Sequence, residues 1–204
     1  MEHERLSRFL VAGLLLLFVL VRAFFTLKWR ERGGETPGGI HRIESEGKVN
    51  FAVRRFIVVP ILSVALFFFF TNPSMMAYFS VSMPLTGIYA GTFAGLCGII
   101  FLIWVHICLG KEWSAKLQIR NDHRLIQSGP YSRIRHPMYT GLFTVYLAVG
   151  IVSSNYVILL PLMIAVISIA VRIPQEEALL IKRFGEDYRT YMTRTGRFFP
   201  KLNG

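Results

Sequence analysis

Residues 84–109 read PLTGIYAGTFAGLCGIIFLIWVHICL and contain no Asp, Glu, Lys or Arg. A helix needs about 20 mostly apolar residues to cross the ~30 Å hydrocarbon core of a bilayer. This stretch is long enough to cross with some tilt. Lipid offers the backbone no hydrogen-bond partners, so a spanning segment must satisfy its own groups as a helix or in a closed barrel. Barrel strands alternate apolar and polar residues, and this run does not. The fold class that follows is an all-α integral membrane protein.

Four more apolar runs flank it. Phe9 to Leu27 is interrupted only by Arg22. Phe56 to Phe70 is short unless Phe51–Val53 extends it. Two runs lie between Met138 and Val171, separated by Ser153-Ser154-Asn155, and read as a helical hairpin. Five transmembrane helices are therefore expected. The first reads as a retained span. Its apolar run is long for a signal peptide, the residues before it are weakly basic, and no small-x-small cleavage site follows.

Composition agrees. The chain has 204 residues, 53% hydrophobic and only 17% charged, where a soluble domain carries about 25% charged residues. Its apolar content excludes disorder, and two cysteines exclude a disulfide scaffold. Cys97 and Cys108 share one span, roughly 16 Å apart along a helix, so they cannot pair and read as buried small hydrophobes. One domain, 1–204, is expected. Residues 1–109 hold three spans and a basic loop; 110–204 hold the polar segments, two more spans and a C-terminal helix.

The net charge of +11 is sorted by side. Lys28–Arg55 holds seven Lys/Arg, Lys111–Arg135 six and Arg172–Lys201 seven, which is 20 of 23. These segments follow spans one, three and five. The positive-inside rule then puts the N-terminus outside and the C-terminus in the cytoplasm. The basic excess implies contact with anionic lipid headgroups rather than nucleic acid.

Two cytoplasmic segments carry candidate chemistry; the glycine-rich 28–50 loop lacks phosphate-loop spacing. Residues 110–141 read GKEWSAKLQIRNDHRLIQSGPYSRIRHPMYTG. Gly129-Pro130 marks a turn, and Pro137 suits the first turn of the fourth span. Arg135 and His136 thus stand at a helix N-terminus, where free N–H groups and the dipole favour an anion. In the other segment, Pro174 predicts a kink or restart of the fifth span. Beyond it Ala178, Ile181, Phe184, Tyr188 and Tyr191 recur at helical spacing and predict an amphipathic helix lying on the membrane or the spans. Arg172, Glu176 and Glu177 fall near the membrane boundary, where ionisable groups are costly unless paired or hydrated. Taken singly, these residues have plainer readings: the arginines as membrane anchors, the glutamates as a solvated helical turn. His106 reads as a hydrogen-bonded structural residue. No HExxH or CxxC accompanies His123 and His136, so no metal site is expected.

The ordered combination is more specific. His123-Arg-Leu-Ile-Gln-Ser-Gly-Pro-Tyr131, Arg135-His-Pro-Met-Tyr139-Thr-Gly141, Glu176-Glu177 and Phe184-Gly-Glu-Asp-Tyr188 resemble the isoprenylcysteine carboxyl methyltransferase family. Phospholipid methyltransferases share the Arg-His-Pro-x-Tyr signature. The five-span layout, Gly110-Lys-Glu-Trp-Ser114 and Thr195-Gly-Arg-Phe-Phe-Pro200 look like the short prokaryotic members, which implies a prokaryotic plasma membrane. The resemblance implies S-adenosylmethionine as methyl donor, bound by the last spans and the C-terminal cytoplasmic segments. Carried over, His123, Leu125, Gly129, Tyr131, Arg135, His136 and Tyr139 neighbour the cofactor, and Glu176 and Glu177 complete its pocket. Within it, Arg135 and His136 suit the cofactor's carboxylate, and either glutamate its ammonium or ribose hydroxyls. Arg172 matches a family arginine near the methyl-transfer centre. Methylating an ionised carboxylate needs alignment rather than a base; methylating an ammonium needs a base first, for which Glu176 or Glu177 could serve. The expected acceptor is amphipathic: a prenylated peptide or small molecule, or another lipid carboxylate. Two other functions stand beside it, a phospholipid N-methyltransferase and a small transporter or heme-handling protein using His106, His123 and His136. Finally, Gly87, Gly91, Gly95 and Gly98 mark one face of span three for close packing, within the monomer or in a dimer.

Overall fold

A computed structural model describes residues 2–31, 48–110 and 125–201. His123, Trp113 and Ser114, and most of the glycine-rich loop, lie outside the described residues. The described chain is helical. It runs α1 (Glu2–Glu31), α2 (Lys48–Ala52), a π-helical turn (Val53–Val58), α3 (Val59–Thr71) and α4 (Pro73–Ala77), then α5 (Leu85–Leu109), a 3-10 turn (Gly129–Ser132), α6 (Pro137–Ser153), α7 (Tyr156–Phe184) and α8 (Glu186–Arg194).

Four stretches among the described residues are long and apolar enough to cross a membrane: Glu2–Lys28, Asn50–Thr71, Leu85–Leu109 and Tyr156–Phe184. The second is lengthened by Phe51–Val53, since helix continues through the π turn into α3. The expected fourth span is α6, an apolar helix of 17 residues. At about 1.5 Å per residue it falls a few ångströms short of a typical hydrocarbon core. Leu16, Leu20, Phe24, Phe67, Phe93, Ile100 and Ile167 all point outward. So large an apolar surface suits lipid rather than water.

Small residues set the packing. A Cβ on Gly91 would come within 2.9 Å of Val152, and one on Gly98 within 3.0 Å of Val145, both on α6. One on Gly95 would meet Leu14 of α1 at 3.0 Å and Ala148 of α6 at 3.1 Å. The glycine face of α5 is therefore filled from within the monomer by α6 and α1. Gly87 stands apart: its nearest neighbours are Met83 and Pro84, just ahead of α5. Leu14, Ile99, Leu102, Val145, Val149 and Ile158 continue the core. At the far end the α6–α7 hairpin turns through Ser154, which takes a left-handed φ of 51°. The Asn155 side chain then caps α7 by accepting from the Val157 N–H and ties down the 73–83 segment by donating to the Met76 carbonyl.

Two expectations need correction. Of the kink or restart expected at Pro174, the restart is absent: α7 runs on to Phe184, and the break comes at Gly185, whose φ is +56°. Beyond Pro174, Tyr188 and Tyr191 of the expected stripe are buried, Ile181 and Phe184 half-buried and Ala178 exposed, while Glu177 is buried among basic partners. Cys97 is exposed on the outer face of α5, not buried.

Candidate active site

The site is built where the start of α6 meets the end of α7 and the chain's last residues. Pro137 opens α6 with His136 in the N-cap position. Immediately before it, residues 133–136 lie alongside 195–197. The Arg135 N–H donates to the Gly196 carbonyl (2.8 Å), the His136 N–H to the Arg197 carbonyl (3.1 Å), and the Gly196 N–H to the Arg133 carbonyl (3.0 Å). Position 196 admits only glycine, since a Cβ there would collide with the Phe199 carbonyl oxygen. Thr140 Oγ1 donates to the Phe198 carbonyl one turn into α6.

Glu177 is the hub. Its side chain is 5% exposed. Oε1 accepts from Arg135 Nε (3.0 Å) and lies 3.2 Å from His136 Nε2. Oε2 accepts from Arg197 Nη2 (2.6 Å). A carboxylate so deeply buried is tolerable because charged donors surround it. Arg135 Nη1 also donates to the carbonyls of Met192 and Thr195, at the end of α8. A guanidinium has five donors in a fixed fork, so one arginine joins three chain segments here. Tyr191 completes the closure by donating its hydroxyl to the Tyr131 carbonyl (2.7 Å). Burial pushes that hydroxyl up to about 12, so it remains a donor at neutral pH.

Glu176 faces differently. It is half-buried, and its Oε2 accepts from the Tyr139 hydroxyl (2.7 Å). The Tyr139 ring stacks between His136 and Phe143, with centroids 5.7 and 6.4 Å away. Arg172 is buried one helical turn before Glu176, and its charge reaches the Tyr139 hydroxyl.

Of the sequence candidates, Arg135, His136, Tyr139, Arg172, Glu176 and Glu177 thus gather in one place. Tyr131 joins them through Tyr191. Gly129 lies in the 3-10 turn with φ +58°, where a Cβ would be 2.5 Å from Cys108 Sγ; this seats the turn on the end of α5. Leu125 is half-buried just ahead of that turn. The sequence reading did not single out Arg197, whose charge looks like that of any membrane anchor. Its position within Thr195-Gly-Arg-Phe-Phe-Pro200 was the available signal. Among the described residues, no three of His, Cys, Asp and Glu gather as metal ligands.

Residues 91–182 match the model of the isoprenylcysteine carboxyl methyltransferase (ICMT) family. That segment, a little under half of the chain, is similar to the ICMT family. The match runs from the second turn of α5 nearly to the end of α7 and includes all six gathered residues. Curated relatives match stretches of similar length. A nickel-cobalt-cadmium resistance protein, NccN, of Alcaligenes xylosoxydans is 34% identical over 47% of this chain and 45% of its own. The protein-S-isoprenylcysteine O-methyltransferase of Schizosaccharomyces pombe is 32% identical over 40% of this chain and 35% of its own. The chain thus spans less than half the length of these relatives. Among solved structures, a eukaryotic intramembrane Ras methyltransferase ICMT superposes with a TM-score of 0.52 at 20% identity, covering 78% of this chain and 55% of the other. The membrane fold is therefore ICMT-like.

Proposed function

We propose that the protein transfers a methyl group from S-adenosylmethionine to the carboxylate of an amphipathic, isoprenylcysteine-type acceptor within the membrane. The observation that carries this reading is the Tyr139–Glu176 hydrogen bond beside Arg172, inside the segment that matches the ICMT family. The donor set fits the cofactor. Glu176 has an acceptor oxygen to spare for an ammonium or ribose hydroxyl, and stacked His136 and Tyr139 offer an aromatic face. Tyr131 and Leu125 are the candidate apolar contacts for adenine, with Gly129 shaping their turn. Arg135 supplies positive charge at the mouth of α6, with His136 beside it. Because both already bind Glu177, they chiefly hold the pocket's wall. His123 completes the expected set.

When bound, the cofactor supplies an electrophilic methyl on a sulfonium. The chain's own residues do the positioning. Arg172 holds the acceptor carboxylate in line, and the surrounding apolar helices exclude the water that would hydrate it. No residue need remove a proton from a carboxylate.

We place five spans in the bilayer, counting α6, with the N-terminus outside. α8 lies on the cytoplasmic side, and the active site faces the cytoplasm. The cofactor then enters from water while the lipid tail arrives laterally.

Membranes containing the protein are incubated with methyl-labelled S-adenosylmethionine and a prenylated thioether acid. The expected product is a methyl ester that releases volatile labelled methanol in base. A base-stable label on an amine headgroup would instead identify an N-methyltransferase, and no incorporation into either would remove the reading.

A further inference from the structure

The aromatic column of the site ends on a ring outside the segment that matches the ICMT family. Along the start of α6, His136, Tyr139 and Phe143 stand at helical spacing and stack with their planes 16° and 15° apart. The next ring is Phe198, from the chain's last residues. Its centroid lies 5.3 Å from that of Phe143, with the planes tilted by 59°. All three separations fall in the ~4.5–7 Å range in which aromatic pairs attract. The matched segment stops at residue 182, so Phe198 lies beyond it.

The backbone explains why that ring is there. Three consecutive carbonyls run beside the opening of α6: Gly196 accepts from the Arg135 N–H, Arg197 from the His136 N–H, and Phe198 from Thr140 Oγ1. The His136 N–H stands at the N-cap and has no partner within the helix, so the strap supplies one. Within the strap Arg197 reaches Glu177, and Phe198, half-buried, reaches Phe143. Phe198 is thus held by its carbonyl and by its ring against the first two turns of α6.

Rotation of a tyrosine about χ1 swings its hydroxyl by several ångströms, and the staggered wells differ little unless neighbours choose among them. For Tyr139 the neighbours are His136 on one face and Phe143 on the other. Phe143 has the same freedom and is backed in turn by Phe198. The rotamer so held is the one whose hydroxyl donates to Glu176 Oε2 at 2.7 Å.

We propose that Phe198 is a positioning residue for cofactor binding. By backing Phe143 it holds Tyr139 in the rotamer that donates to Glu176, and so fixes Glu176 for the ammonium or ribose of S-adenosylmethionine. The inference rests on the proposed use of that cofactor and adds the C-terminal strap to its site.

The test uses the full chain in vesicles and reads S-adenosylmethionine Kd by calorimetry. Phe198→Leu removes the ring and keeps an apolar side chain. Its Kd is expected to rise at least about fivefold, the partial loss of a hydrogen bond to a charged group. Phe198→Tyr restores the ring and should bind within about twofold of wild type. A Tyr139→Phe background separates positioning from general loosening of the strap. There, adding Phe198→Leu should raise Kd by less than about twofold, because the hydroxyl it would misplace is already gone. An unchanged Kd in Phe198→Leu, no rescue by Phe198→Tyr, or the same loss in both backgrounds overturns the role of Phe198 and leaves the proposed methyl transfer standing. Wild-type protein that binds no S-adenosylmethionine overturns both.

Discussion

Neighbouring glutamates at 176 and 177 do unlike work because a helix turns about 100° between them. Glu177 points into the seam between α6 and the chain's last residues, where Arg135 and Arg197 neutralise it and His136 lies within hydrogen-bond range. Glu176 points along the ring stack toward Tyr139. The first is a joint; the second is the one proposed to meet the cofactor. Removing the charge of Glu177 leaves a buried guanidinium without its counter-ion, at a cost of about 3–5 kcal/mol. Glu177→Gln should therefore lower the melting temperature in detergent far more than Arg197→Ala. The Arg197 side chain is 46% exposed, and such pairs contribute at most about 1 kcal/mol. Amide exchange across residues 192–198 should rise in the Glu177 variant alone, since those carbonyls hang on Arg135. Equal destabilisation by the two variants would contradict this division. Glu176→Gln should leave the melting temperature near wild type and weaken cofactor binding instead, read by calorimetry with S-adenosylmethionine.

Among the elements, the α5–α6 pair is set by absent side chains. Gly95 lies between Leu14 and Ala148 with no room for a methyl group. Gly95→Leu must push α1 or α6 away, and overpacking of this kind costs about 1–3 kcal/mol. Gly13→Leu is the control, because nothing lies within 4 Å of a Cβ there, and its effect should stay within about 0.5 kcal/mol. Thermal unfolding of both in one detergent decides the matter. The glycine face itself was legible in the sequence, as were the hairpin at Ser153–Asn155 and the opening of α6 at Pro137. The partner of that face was not, because spacing reveals a groove and says nothing of what fills it. The proline at 174 misled for a related reason. Its lost hydrogen bond costs a helix about 3 kcal/mol, which packing of Ile173 and Glu177 on either side offsets. Gly185, which carries no such penalty at positive φ, is where the chain turns. Arg197 was hidden among seven basic residues, since a charge census sorts side chains by face of the membrane and not by partner.

For the whole molecule, lengths and charges locate the site in depth. α7 has 29 residues, several more than the roughly 20 that the hydrocarbon core requires. Counted from Tyr156, the outer end in the proposed orientation, that core is spent near Glu176. In the proposed orientation the carboxylates would stand at the inner boundary, within reach of both a water-soluble cofactor and a lipid-borne acceptor. α6 is short, and a short helix is met by local thinning of the bilayer, which in the proposed orientation would bring cytoplasmic water toward Tyr139. This geometry requires the basic segments after α1, after α5 and at the chain's end to share the cytoplasmic side. The arrangement is tested in a background of Cys97→Ala and Cys108→Ala, with one cysteine returned at Glu2 or at Asn203. A membrane-impermeant maleimide applied to intact cells should label the first and spare the second until the cells are opened. The reverse pattern would put the Tyr139–Glu176 pair outside. It would also leave 20 of 23 basic residues on the side where the membrane potential and lipid charge give them least support.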